Sequence, residues 1–136
     1  MSASSSCRIY RWIRSSRDFL VRINLHRWIK SKKNGKKDLG LIYSETPLTV
    51  AAMFTRNLVK AAPVVLGQQR SANGLCQAVI VNSGNANCCT GEQGMQDAMQ
   101  MGRLIAQGLK VDENDVLVSS TGVIGEPLPI EKIAYL

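Results

Sequence analysis

The stretch Val116-Leu-Val-Ser-Ser-Thr-Gly-Val-Ile-Gly125 decides the fold, because within it an apolar strand turns into a polar loop. Its first three residues are apolar and mostly β-branched, which is typical of a buried strand. Ser119, Ser120, Thr121 and Gly122 then bring hydroxyls and a glycine to the strand's end. Donors of this kind stabilise a negatively charged oxygen when they lie about 3 Å from it. A strand followed by an ordinary glycine turn is the competing interpretation.

A second apolar run, residues 77–81, also opens into a small polar loop, the Asn-rich segment 82–87. Between the two runs, apolar residues recur at three- and four-residue steps and predict an amphipathic helix. These residues are Met95, Ala98, Met99, Gly102, Ile105 and Leu109. Thr90 and Gln93 fit a capping box at the start of this helix. Residues 112–115 predict the turn into the final strand, so the sequence indicates a β-α-β unit in an α/β fold.

Upstream of this unit, residues 39–43 and 48–55 predict two further strands, with a turn at 45–47. Pro63 argues against a continuous helix over residues 57–66 and favours an extended piece after it. Residues 68–74 predict a polar loop. A further helix is expected to begin at Ile130, and the sequence stops inside it.

Composition excludes several classes of protein. The 136 residues are enough for one domain with a core, and 45% of them are hydrophobic. No apolar run approaches the roughly 20 residues that a membrane-spanning helix requires. The four cysteines, Cys7, Cys76, Cys88 and Cys89, form no C-x-x-C pair, and we interpret them as reduced thiols that pack as small buried hydrophobes. The single histidine, His26, lies in the basic segment, which argues against a Ser-His-Asp arrangement.

Charge divides the chain into two parts. Residues 1–37 carry eleven Lys and Arg against Asp18, a net charge of +10, while the rest carries six basic and nine acidic residues, a net charge of −3. Within the basic part, Ile9, Trp12 and Ile13 share one face at helical spacing. Three interpretations stay open: an organellar transit peptide, a segment that binds nucleic acid or an anionic membrane, and a non-native leader.

Six short motifs occur in order and together resemble the bifunctional ornithine acetyltransferase / glutamate N-acetyltransferase family of arginine biosynthesis. They are Gly35-Lys-Lys-Asp-Leu39, Met53-Phe-Thr-Arg-Asn57, Val59-Lys-Ala-Ala-Pro-Val64, Val81-Asn-Ser-Gly-Asn-Ala-Asn87, Thr90-Gly-Glu-Gln-Gly94 and Ser119-Ser-Thr-Gly-Val-Ile-Gly125. The resemblance covers residues 35–136. It implies that these residues are the amino-terminal part of the acetyltransferase domain, truncated at its carboxyl end, and that residues 1–34 are a separate basic, Ser- and Arg-rich extension.

The resemblance implies a self-processing enzyme with a layered α/β sandwich, incomplete in this fragment. Members move acetyl from N-acetylornithine to glutamate through an acetyl-threonine, and many also accept acetyl-CoA as a co-substrate. The oxyanion hole of the family carries over to Thr121 and Gly122, and the Asn-rich loop carries over only as a structural signature. The nucleophile belongs to a separate β chain, so we expect a hetero-oligomer of α and β chains. We expect no cofactor-binding or metal-binding residue, no nucleic-acid partner, and a cytoplasmic location, or a mitochondrial one if residues 1–34 are a transit peptide.

The sequence departs from the family pattern in two places. The Ala-Thr-Met-Leu cleavage motif that supplies the nucleophile is absent, so the fragment alone is predicted to be inactive. The approach to Gly35 lacks the usual Gly and Ala residues, which leaves the native origin of residues 1–34 open. Two alternative functions stay open: a basic module that binds nucleic acid or membrane, and a related self-processing aminopeptidase with the same architecture.

Overall fold

The computed structural model describes the backbone of residues 9–11, 21–26 and 38–134, and the side chains of residues 38–134. These parts form five strands, three helices and two short 3-10 segments. In chain order the elements are β1 (Ile9–Arg11), β2 (Val21–His26), β3 (Leu39–Thr49), α1 (Ala62–Arg70), a 3-10 turn (Ser71–Asn73), β4 (Leu75–Asn85), α2 (Gly91–Leu109), a 3-10 turn (Glu113–Asp115), β5 (Val116–Val123) and α3 (Ile130–Ile133). The predicted α/β class is confirmed.

The strands form one sheet in the order β1-β2-β3-β4-β5. The first four strands pair antiparallel, and β4 pairs parallel with β5. A parallel pair needs a crossover connection, and here α2 supplies it. Because parallel strands end at the same edge, the polar residues at the ends of β4 and β5 lie side by side.

Strand β4 shows why one face of the sheet is buried. Cys76, Ala78, Ile80 and Asn82 are buried at every second position, as the two-residue period of a strand requires. The core on this face also takes residues from β3, from β5, from the segment after β5 and from the helices that cover it: Leu39, Leu66, Ala98, Met101, Ile105, Ala106, Val116, Val118, Leu128 and Ile133. On α2 the buried positions recur at three and four residues, so the predicted amphipathic helix is confirmed.

The opposite face of the sheet carries the alternate positions, and none of the described helices packs on it. Val79 pairs with Leu117 and Ser83 pairs with Thr121 along this face. Ile42 is 41% exposed there, while Val79 and Leu117 are half-buried. The Thr121 side chain therefore lies on the open face, near the carboxyl end of the edge strand.

The prediction of a strand over residues 48–55 is wrong beyond Thr49. Leu48 and Thr49 pair with Cys76 and Leu75, where β4 begins, so the residues that follow Thr49 have no part of β4 to pair with. Residues 50–61 form neither helix nor strand, and Met53 is 99% exposed. The predicted turn at 45–47 lies inside β3, at the irregularity where the register shifts between Tyr43 and Leu48.

The prediction of an extended piece after Pro63 is also wrong, because α1 runs from Ala62 to Arg70 with the proline in its first turn. A proline at that position loses no hydrogen bond, since the first helical N–H groups have no partner within the helix. The predicted loop 68–74 is accordingly helical at its start and a 3-10 turn over Ser71–Asn73.

Two local details differ from the sequence-based expectation. Thr90 is the residue before α2, but its side chain does not cap the helix, and Gln93 donates to Asp97 Oδ1 at 2.9 Å instead of reaching back. The helical face predicted within residues 1–37 is contradicted where the backbone is described, since Ile9–Arg11 and Val21–His26 are strands. Trp12 and Ile13 lie outside the described residues.

Candidate functional site

The candidate site is the end of β5, where Thr121 and Gly122 lie beside Ser83 and Gly84 of β4. All four residues are exposed, although Cys76 and Val116, near the starts of the two strands, are buried. The structure therefore presents a hydroxyl and a glycine backbone at the open end of a rigid strand pair. That is the arrangement in which preorganised donors can stabilise developing negative charge.

Gly122 is required at its position by a close approach of the two strands. Its φ angle is +138°, outside the range that other residues readily adopt. A Cβ atom there would lie 2.5 Å from the backbone nitrogen of Asn85 and from the carbonyl oxygen of Gly84. These neighbours are backbone atoms and cannot rotate away, so any side chain at residue 122 would push β5 off β4.

The side chain of Asn85 holds the segment that follows the candidate site through hydrogen bonds. Its Nδ2 donates to the carbonyls of Glu126 and Pro127 at 3.1 and 3.0 Å, and its Oδ1 accepts from the backbone N–H of Asn87 at 2.7 Å. The backbone adds two bonds, from Ala86 N to Val123 O and from Gly125 N to Cys88 O. The Asn-rich loop thus acts as a clamp on the segment after Gly122.

Asn82 and Asn87 hold this clamp in place from within the core. Both are completely buried. Asn82 Nδ2 donates to the Asn85 carbonyl at 2.7 Å, and Asn87 Nδ2 donates to the Gly94 carbonyl of α2 at 2.7 Å. Thr90 Oγ1 donates to Asn87 Oδ1 at 2.9 Å. The interpretation of the Asn-rich loop as a structural signature agrees with these contacts, because its amides are directed at backbone carbonyls.

Arg70 holds the other end of β5, a role that the sequence does not predict, because residues 68–74 have the composition of a polar loop. Its Nη1 donates to the carbonyl of Val116 and its Nη2 pairs with Glu113, both at 2.8 Å. Gly102 leaves room for the guanidinium, since a Cβ there would overlap Nη1. Burial lowers the pKa of Arg70, and the carboxylate of Glu113 opposes that shift. Strand β5 is therefore held at Val116 and again beyond Gly122.

Two buried polar atoms stand out next to the site. Asn82 and Ser120 occupy paired positions on the helix-covered face. Asn82 Oδ1 and Ser120 Oγ have no hydrogen-bond partner among the residues that the structure describes. The hydroxyl of Ser120 is thus not fixed by a neighbour, unlike the amides of Asn85 and Asn87.

The cysteines are not uniformly buried. Cys76 is buried, and burial raises the pKa of its thiol. Cys88 is half-buried and Cys89 is exposed, which contradicts their interpretation as core residues; all three are free thiols. The reason is position, because Cys88 and Cys89 follow the strand rather than lie within it. Cys7 lies outside the described residues.

Over residues 38–134, no group of three or more His, Cys, Asp and Glu side chains could hold a metal ion. None of the helices in the described ranges is long and apolar enough to cross a membrane.

A family model and similar curated proteins point to the same family. The ArgJ family model matches residues 24–135. The chain is 56% identical over 101 residues to the arginine biosynthesis bifunctional protein ArgJ of Caldanaerobacter subterraneus, which covers 74% of this chain and 25% of that protein. It is 49% identical over 104 residues to the glutamate N-acetyltransferase of Methanothermobacter thermautotrophicus, covering 76% of this chain and 26% of that protein.

Two solved structures share the fold. The arginine biosynthesis bifunctional protein ArgJ of Bacillus halodurans superposes with a TM-score of 0.76 at 42% identity, covering 83% of this chain and 60% of that chain. The ornithine acetyltransferase of Mycobacterium tuberculosis, solved in complex with ornithine, superposes with a TM-score of 0.70 at 43% identity, covering 74% of this chain and 55% of that chain. The predicted acetyltransferase type of α/β fold is confirmed. The chain spans about a quarter of the length of the curated relatives it matches.

Proposed function

The chain belongs to the ArgJ family, and on that basis we propose that it is the amino-terminal part of an enzyme of arginine biosynthesis that transfers acetyl from N-acetylornithine to glutamate. The products are ornithine and N-acetylglutamate. Acetyl-CoA is proposed as a second acetyl donor for glutamate. The relatives named as bifunctional ArgJ protein and as glutamate N-acetyltransferase support this assignment.

The observation that carries the proposal is the position of Thr121 and Gly122. Both are exposed on the last residues of a strand whose beginning is buried, and both ends of that strand are fastened. We assign the Thr121 hydroxyl and the Gly122 N–H as the donors that bind the oxyanion formed when the acetyl carbonyl is attacked. Fixed donors stabilise this charge without having to reorganise, which is why such sites lower the barrier.

The attacking group is proposed to be a threonine at the amino terminus of a second chain, released when the precursor cleaves itself. A terminal threonine carries its own α-amino group, with a pKa of about 8, and can use it as the general base. No histidine is then needed, and the only one in this sequence is His26. The proposal therefore includes a hetero-oligomer of α and β chains, an acetyl transfer that uses no cofactor or metal, and a cytoplasmic location, with a mitochondrial one as the alternative for a cleaved leader.

The test uses a chimera in which residues 38–134 replace the corresponding segment of Bacillus halodurans ArgJ, and ornithine release from N-acetylornithine and glutamate is measured. The chimera should be active. Thr121→Ala should lower kcat and kcat/KM together by about 100-fold or more, because the bond forms chiefly in the transition state. Thr121→Ser keeps the hydroxyl and should cost much less.

Ser119→Ala is the matched control, since Ser119 is an exposed hydroxyl on the same strand and the same face. It should retain the activity of the chimera. A folded Thr121→Ala variant with unchanged kcat would refute the oxyanion role, and an inactive but folded parent chimera would refute the assignment of the segment itself.

A further inference from the structure

Cys88 and Cys89 form a pair of neighbouring thiols that the proposed acetyl transfer does not use. Their Sγ atoms are 3.8 Å apart, close enough for a weak hydrogen bond between them. Cys89 is exposed and Cys88 is half-buried, so a dissolved ligand can reach both. The hydrogen bond with Cys89 raises the pKa of Cys88 above its usual value.

The backbone that carries the pair is fixed on both sides. Asn87 and Cys89 have φ angles of +46° and +59°, an uncommon conformation for residues other than glycine. The contacts of the buried Asn87 with Gly94 and Thr90 hold one side, and the bond from Gly125 N to Cys88 O, at 2.9 Å, holds the other. The two thiols are therefore presented together by a rigid turn.

The geometry of the two cysteines fits binding to one shared metal ion better than a disulfide between them. Both the distance between the Sγ atoms and the distance between the Cα atoms support this. A tetrahedral ion with metal–sulfur bonds of about 2.3 Å places two thiolates about 3.8 Å apart. A disulfide usually joins residues with Cα atoms about 4.4–6.8 Å apart. Adjacent residues joined by a trans peptide are held at about 3.8 Å, and the described chain has no cis peptide.

We propose that Cys88 and Cys89 form a dithiol site for a soft, thiophilic divalent metal ion. Thiolates are the ligands that such ions prefer. Each thiol releases its proton to solvent and donates a sulfur lone pair, so binding one ion frees two protons and changes no oxidation state. Two thiolates occupy two positions on the ion, and water can occupy the others. The proposal does not depend on acetyl transfer.

The test is a titration of the 136-residue chain with Cd²⁺, which reports thiolate bonds through an ultraviolet charge-transfer band. A Cys7→Ser background removes the remaining thiol outside the described residues. We expect one equivalent of Cd²⁺ to saturate the band. Cys88→Ser and Cys89→Ser should each weaken binding at least tenfold, because a single thiolate cannot chelate.

Cys76→Ser is the matched control, since Cys76 is buried near the start of β4, whereas the pair follows the end of that strand. It should leave the band and its midpoint unchanged. Phenylarsine oxide, which needs two thiols at one place, should add once to the parent and to neither Cys88→Ser nor Cys89→Ser, as measured by the mass of the intact protein. A full band in either of these two variants, or no band in the Cys7→Ser parent, would overturn the proposal.

Discussion

Gly122 and Gly84 provide a matched pair for testing how closely β5 must approach β4. They are partners in the parallel ladder, and both have positive φ angles, +138° and +108°. A Cβ at Gly84 would meet nothing within 4 Å, whereas a Cβ at Gly122 would overlap the backbone of Gly84 and Asn85. The alanine variants therefore share the conformational strain and differ in the steric clash.

The structure gives a magnitude for each variant. Alanine at either position must adopt an unfavourable φ angle, which destabilises the folded state by about 1–2 kcal/mol. Gly122→Ala must also separate the strands locally, and losing one or two ladder hydrogen bonds adds about 1–2 kcal/mol. The local free energy of opening should fall by about 1–2 kcal/mol in Gly84→Ala and by about 3 kcal/mol in Gly122→Ala.

Hydrogen–deuterium exchange of the β5 peptide in the chimera measures these costs locally. Since about 1.4 kcal/mol corresponds to a factor of ten, exchange should be about 10-fold faster in Gly84→Ala and about 100-fold faster in Gly122→Ala. Peptides from α1 should exchange at the parent rate in both. Equal exchange in the two variants would refute the argument that residue 122 needs glycine for space.

Three further results are expected. Ser120→Ala should leave the free energy of unfolding of the chimera unchanged or raise it by up to about 1 kcal/mol, because the buried hydroxyl has no partner among the described residues. Thermal unfolding measures this, and a loss of stability would show that the hydroxyl is hydrogen-bonded. Arg70→Met should lower the free energy of unfolding by about 2–3 kcal/mol in the same measurement, because it removes the hydrogen-bond donor to the Val116 carbonyl. Glu113→Gln should lower it by less, because Glu113 is partly exposed. The 136-residue chain alone should release no ornithine and should self-associate through its open sheet face; a sharp, monomeric unfolding transition or ornithine above a blank would contradict this.

The β-α-β unit could be predicted from the sequence because its signals are local. Strand alternation in β4, the three- and four-residue steps of α2 and the polar turn at Asp112 each depend on residues close together in the chain. Thr121 and Gly122 could be named for the same reason, since the strand end and the motif are one stretch. Their role as oxyanion donors stays a prediction.

The errors arise where a distant part of the chain decides the structure. Residues 50–55 have the composition of a strand but no partner, because β4 begins only at Leu75. Pro63 alone suggests a break in the helix, although a proline in the first turn of a helix costs no hydrogen bond. The buried role of Arg70 depends on Val116 and Glu113, more than forty residues away. Nothing near Arg70 in the sequence indicates either partner.

The two faces of β5 have different roles, and this explains why the candidate site is exposed. Arg70 and the Asn-rich loop fix the strand at both ends through contacts on the helix-covered side. Thr121 lies on the other face, which no described helix covers. An oxyanion donor must be accessible to its substrate. Its backbone must also be held in place by the rest of the protein, because a donor that moves loses the advantage of preorganisation. The segment satisfies both needs, and the open face is where we propose that the second chain brings its threonine.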